Sequence, residues 1–261
     1  MAHDLTIDEK RVYADRTGAA EVLIAAEQGV VAVSLSADLV GEFGLDHRAP
    51  VRDVATTENR RVVATSEDVL VGSYEPAGFG PAVAVGFDDA GAALAAGPDG
   101  RVARLDGGWT TLGTVDDPRA VDGGLIATAD GVHRVVDDGL RDVGLGDVTD
   151  VHGRGTPLAA TASGLYRLGN GWMAERDGAF VAVSAADGDR AAAADGSGVV
   201  VREAAGEWSA VETPATDVVD VGFTDAATVA VTATGTLLAD AGDGWRTREL
   251  GVTGVSRLAI Q

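Results

Sequence analysis

The chain has 261 residues, 41 acidic against 20 basic, for a formal net charge of −21. Hydrophobic residues make up 46%, enough for a sizeable core, and the 36 glycines are too many for a helical protein but suit a chain that turns every few residues. The absence of cysteine excludes disulfide frameworks and thiolate metal sites, and the lack of any Lys/Arg cluster excludes nucleic acid as a ligand.

In chain order, residues 1–20 read as a lead-in or an edge strand, with Leu5–Asp15 entering or crossing the edge of the first repeat. That repeat shows an apolar run, Val22–Ala26, a turn at Gln28-Gly29 and a resuming strand, Val30–Leu35. The second opens with Val51–Ala55 and continues through Val62–Thr65, the turn Glu67-Asp68 and Val69–Tyr74. The third runs Ala82–Phe87, Ala93–Ala96, Asp99-Gly100 and Arg101–Leu105. The fourth is Arg119–Asp122, Leu125–Ala129, Asp130-Gly131 and Val132–Val136. The fifth is Val148–His152, Leu158–Ala162, Ser163-Gly164 and Leu165–Leu168. Phe180–Ser184, Ala191–Ala194, Ser197-Gly198 and Val199–Arg202 form the sixth. The seventh is Val218–Phe223, Val229–Ala233, Thr234-Gly235 and Thr236–Ala239, and a last strand, Val255–Ile260, follows it.

Positions 29, 68, 100, 131, 164, 198 and 235 anchor these turns at intervals of 39, 32, 31, 33, 34 and 37 residues, a mean of about 34. Such a period accommodates four short strands with tight turns. All four tryptophans fall at one place in the repeat, opening its fourth strand: Trp109, Trp172, Trp208 and Trp245, with Leu140 standing there in the fourth unit. The unit around Tyr74–Phe79 matches worst, and no fourth strand is legible between residues 72 and 80. A parallel β-helix also stacks small repeats, but its coils are shorter and do not place one tryptophan per four strands. The expected fold is therefore an all-β, seven-bladed β-propeller occupying residues 1–261 as one domain, with the blades over 21–254. The first unit lacks a strand in front of it, so residues 255–261 are expected to join the N-terminal blade and close the ring, which removes two sheet edges.

Lys10 is the only lysine, and the acids are scattered along the whole chain. That pattern is expected of a protein living in molar salt, where repulsion between carboxylates is screened over about 3 Å. The N-terminal residues Met1–Lys10 lack a basic region followed by an apolar stretch, and no run is long enough to span a bilayer, so a cytoplasmic location without membrane contact is expected.

Ala-Asp-Gly-Val-His-Arg at 129–134 and Ser-Gly-Leu-Tyr-Arg at 163–167 resemble the second hairpin of BNR, YVTN and WD40-like propeller repeats. Arg104–Trp109 is similar to a degenerate Asp-box, the turn between third and fourth strands of sialidase-type propellers. As a whole, residues 20–261 resemble the haloarchaeal acidic β-propeller proteins of unassigned function. The resemblance implies fold and not activity, because these motifs are structural and recur across many functions. A sialidase would also require an arginine triad, a tyrosine nucleophile and acid/base carboxylates, a set that finds no place here.

No other catalytic pattern is found. The four histidines (His3, His47, His133 and His152) have no zinc-hydrolase spacing, no phosphate-binding Gly-Lys-Ser/Thr exists, and Gly196-Ser197-Gly198 is a hairpin turn rather than a nucleophile elbow. The remaining argument is geometric: in a propeller, polar side chains near the inner strands converge on the central channel. The candidate channel-mouth residues are His47, Arg52, Asp53, Arg119, Asp122, Asp150, His152 and Asp220. Asp53, Asp150 and Asp220 stand at matching places ahead of a valine, which points to hydrogen bonding between blades ahead of catalysis. Two functions of different class follow. The first is a non-enzymatic scaffold that binds a protein partner and needs no cofactor. The second is a hydrolase or lyase at the channel that uses Ca²⁺, Mg²⁺ or Mn²⁺ held by carboxylates and a histidine.

Overall fold

The computed structural model describes residues 19–186, 189–203 and 206–261, so most of the expected N-terminal lead-in lies outside the described residues. Seven four-stranded antiparallel sheets form a ring, and no α-helix occurs among the described residues. In particular, none of them builds a helix long and apolar enough to cross a membrane.

The blades are numbered here from the N-terminus. Blade 1 combines both ends of the chain: Ala19–Ala26, Gly29–Ser36 and Leu39–His47 are joined by Arg257–Ile260, which pairs with the first of them in the register Val22↔Ile260 to Ala25↔Arg257. The expected closing strand is thus the innermost strand of the first blade. Inner strands Val51–Thr57, Ala84–Phe87, Pro118–Asp122, Val148–His152, Ala182–Ala185 and Val218–Phe223 belong to blades 2 to 7. Each touches the inner strand of the next blade, and the sequence returns from blade 7 to Arg257–Ile260. Blade 2 has a fourth strand where none was legible, but it is only Glu75–Pro76, entered through Tyr74 at a φ of +67°. So short a strand, carrying a proline and following a left-handed tyrosine, leaves no alternation for a sequence pattern to reveal.

Burial explains why the repeat was visible. The second strands Ala93–Ala96, Leu125–Thr128, Leu158–Thr161 and Ala191–Ala194 are buried at every residue, because neighbouring blades cover both faces of each sheet. Small apolar residues in unbroken runs satisfy that environment. The outermost strand Arg246–Glu249, by contrast, is exposed throughout and carries three charged residues. The core is divided accordingly: among the described residues, each of seven apolar clusters fills the seam between two consecutive blades, including that between blades 7 and 1.

Two glycines show what the hairpin turns require. Gly100 and Gly235 adopt φ of +83° and +84°, and a Cβ on either would collide with the carbonyl of Val115 or Val252 respectively. Only glycine combines that conformation with that approach.

Candidate functional site

The inner strands of blades 2, 4, 5 and 7 share a local irregularity. Their register with the second strand shifts between Val51 and Asp53, Pro118 and Ala120, Val148 and Asp150, and Val218 and Asp220. A bulge of this kind redirects one side chain and frees a backbone N–H from the ladder. In blades 2, 5 and 7 the residue that resumes the register after the shift is an aspartate, each 5–6% exposed.

These three carboxylates join blades. Asp53 accepts from its neighbour Val54 N–H and from Val85 N–H of blade 3, both at 2.8 Å. Asp220 accepts from Val221 N–H at 2.9 Å and from Leu258 N–H of blade 1 at 2.7 Å. Asp150 accepts from Val183 N–H of blade 6 at 2.8 Å. Inner-edge N–H groups have no further strand to pair with, and the aspartates meet that need for blades 2 and 3, 5 and 6, and 7 and 1. Blade 4 has Ala120 in the same column. There Gly86 abuts the Val121 carbonyl so closely that no side chain fits, and Asp122 accepts from Gly153 N–H at 2.8 Å across to blade 5.

In blade 1 that column holds Arg257. Its Nη1 lies 3.0 Å from an Asp150 oxygen and 3.8 Å from an Asp220 oxygen. One guanidinium therefore pairs with Asp150, approaches Asp220 and acts electrostatically on Asp53, in a layer where the three acids are almost fully buried. Burial pushes the Asp53 and Asp220 carboxyls up to about 7, against the pull of Arg257 and of the backbone N–H groups. Burial also raises Asp150. Arg257 stays charged, because the three acids outweigh its own loss of hydration.

Above this layer, toward the downstream mouth where the inner strands end, a cavity of about 250 Å³ occupies the channel. Its rim includes Asp122, His152, Arg154 and Phe223, and a wider depression between blades 5 and 6 continues outward past Arg190 and Arg202. His152 Nδ1 lies 3.6 Å from Asp122, and burial holds the imidazole below its ordinary range, hence neutral near pH 7. Arg190 stacks on the Phe223 ring at 4.6 Å.

The eight candidates thus divide among four places. Asp53, Asp150 and Asp220 form the floor, and Asp122 and His152 form part of the downstream rim. Arg119 lies at the upstream end of blade 4, bonded to Asp117 at 3.0 Å and to Asp147 at 2.7 Å, and does not line the cavity. Arg52 is exposed upstream, where its carbonyl accepts from Ser256 Oγ at 2.8 Å. His47 ends the outermost strand of blade 1 and stacks on Tyr74, ring centres 4.4 Å apart. Sequence reasoning overlooked Arg257 and Arg154. Aligning Arg257-Leu258 with the Asp-Val pairs of the other inner strands would have found the first, whereas Arg154 lies in a loop with no repeat signal. Among the described residues, no group of three or more His, Asp or Glu side chains is placed to hold a metal ion.

The outer parts of the blades are joined by different chemistry. Trp109 Nε1–H donates to the Ala77 carbonyl at 2.9 Å, Trp172 to the Val143 carbonyl at 3.0 Å and Trp208 to the Glu175 carboxylate at 2.8 Å, each reaching into the preceding blade. Trp245 packs in the seam between blades 6 and 7.

A family model described as Beta-prop_HVO_0234-like, beta propeller, matches residues 6–261. No curated protein sequence matches the chain. Among solved structures, the computationally designed Ika8 protein superposes with a TM-score of 0.63 at 14% identity, covering 93% of this chain and 91% of that one. The Pan2 WD40 domain of Neurospora crassa gives 0.61 at 12% identity, with 95% and 94% covered. YCF48 bound to D1 peptide gives 0.59 at 12% identity, with 89% and 86% covered. At these identities the likeness concerns the fold.

Proposed function

This chain belongs to the HVO_0234-like family of β-propellers, and from that premise we propose that it is a non-enzymatic scaffold binding a protein partner in a halophilic cytoplasm. One observation carries the reading: the carboxylates of the channel are spent on joining blades. Asp53, Asp150 and Asp220 are each committed to backbone N–H groups of an adjoining inner strand. A general base needs a free lone pair directed at a substrate proton, and a carboxylate that caps the inner edge of the sheet is poorly placed to supply one.

The downstream mouth is the binding face in this reading. His152, Asp122, Arg154 and the Arg190–Phe223 stack surround an opening that runs outward between blades 5 and 6. An aromatic ring under a guanidinium, beside a neutral imidazole, suits a peptide segment with both polar and apolar side chains. Two propellers of similar fold support it by analogy: YCF48 is described with a bound D1 peptide, and the Pan2 domain is of the WD40 class. The charge of −21 with a single lysine supports the halophilic setting.

Affinity isolation of the tagged chain from its native cells in molar salt tests the proposal. Recovery of one stoichiometric partner is expected, with Phe223→Ala lowering recovery at least about tenfold, the weight of one interface anchor. Arg52→Ala, at the other mouth, should leave recovery unchanged. The absence of a stoichiometric partner, or a loss that follows Arg52 instead of Phe223, refutes the assignment.

A further inference from the structure

We propose that the Arg257 cluster is a proton-dependent latch on the ring: the closing strand holds firmly while protons reside among Asp53, Asp150 and Asp220, and loosens when all three are ionised around a single guanidinium. The geometry concentrates the closure on this point. Arg257–Ile260 is the only strand of blade 1 that arrives from the far end of the chain. Its first residue reaches Asp150 of blade 5 at 3.0 Å and Asp220 of blade 7 at 3.8 Å, and its second donates Leu258 N–H to the same Asp220 at 2.7 Å.

The charge of the layer follows from its neighbours. Blades 3, 4 and 6 present Ala84, Ala120 and Ala182 in this column, which bring no charge. Nearby, toward the rim, Asp122 adds a negative charge, Arg154 a positive one 3.8 Å from Asp122, and His152 is neutral. Three ionised floor carboxylates beside Arg257 therefore leave two negative charges uncompensated in a buried layer, where separation from water makes repulsion expensive. The same ionisation in an unfolded chain meets no such obstacle.

The sign follows from the raised carboxyls. Asp53 and Asp220 titrate at about 7 in the folded protein, well above the 3.8 of a free aspartate. Between those two values the folded state binds more protons than the opened one. The stabilisation from these groups is therefore complete below about pH 4 and is lost as pH rises through about 7. Unlatching accordingly belongs to the alkaline side. Because Ala259 and Ile260 also line the cavity, loosening their strand alters the channel wall itself.

Hydrogen exchange on the full chain at constant molar salt provides the test. After correction for intrinsic rates, protection at Leu258–Ile260 should fall by at least about thirtyfold between pH 5.5 and pH 8.5, the change that one group titrating near 7 supplies. Ala93–Ala96, in the second strand of blade 3, should change less than about threefold over the same range. Equal changes in the two strands, or no change in either, overturn the latch. Asp53→Asn removes one titrating group without touching a bond of the closing strand, and should shrink the pH effect. Should that variant fail to fold, carboxyl NMR titration of the unaltered protein decides: midpoints near 7 are expected for Asp53 and Asp220, and midpoints at or below the free value of 3.8 for both overturn the proposal.

Discussion

Two concentric sets of contacts join the blades, and they use opposite physics for the same task. Near the axis, the buried carboxyl groups of Asp53, Asp150 and Asp220 bridge consecutive inner strands, and Arg257 lies among them. Farther out, Trp109, Trp172 and Trp208 each reach into the preceding blade with a large ring and one neutral donor. The difference follows from geometry. At the axis, the edge N–H groups have no further strand to pair with, and only a short acceptor fits between neighbouring strands. Toward the rim the sheets diverge, and a wide ring is needed to fill the seam. The inner set therefore responds to protons, whereas the outer set depends mainly on buried area.

Trp208→Ala breaks the outer set where it is most buried, since Trp208 is 8% exposed. It also removes one of the donors that hold Glu175, itself paired with Arg202. A loss of about 4 kcal/mol is expected in denaturant unfolding, and it should be nearly the same at pH 5 and pH 8. Asp220→Ala breaks the inner set. It leaves the Val221 and Leu258 N–H groups without their acceptor, and should cost about 3 kcal/mol at pH 5. Its cost should diminish at pH 8, because the substitution also relieves carboxylate repulsion; an equal cost at both values would erase the distinction between the two sets.

The unaltered protein offers a gentler comparison. Asp53 and Asp220, raised to about 7, favour folding at low pH. Against the opposing effect of burial, Asp68 is lowered by backbone N–H bonds and Asp195 by the Ser197 hydroxyl and backbone N–H bonds, so both favour folding above the ordinary carboxylate range. Thermal melts at fixed salt should therefore show Tm falling from pH 5 to pH 8, and turning down again below about pH 4 as the lowered acids take up protons. A Tm that rises steadily from pH 5 to pH 8 would contradict this. The smallest effect is expected at the downstream rim, where Arg154 is half exposed and 3.8 Å from Asp122. Arg154→Ala should shift stability by less than about 0.5 kcal/mol.

Legibility in the sequence followed burial. Second strands such as Leu125–Thr128 and Ala191–Ala194 are covered on both faces, so their composition is dictated and their spacing is plain. The two-residue strand Glu75–Pro76 is exposed and could not be read. Within the candidate site, Asp53, Asp150 and Asp220 were recognisable because each precedes a valine in the same repeat position. Arg257 was not, since its charge is opposite and its blade is completed only by the far end of the chain. His47 and Arg119 share the composition of channel residues, but their positions relative to the axis depend on strand ends and local ion pairs.

The sequence by itself determined the number of blades, the hairpin turns and the place of the tryptophans, because these are local or repeated and are enforced by burial and turn geometry. Only the tertiary structure decided that three aspartates and one arginine, spread over about two hundred residues, share a single buried layer. Ring closure brings together positions that local pattern leaves independent, and the charge balance of that layer exists only after the last strand has joined the first blade.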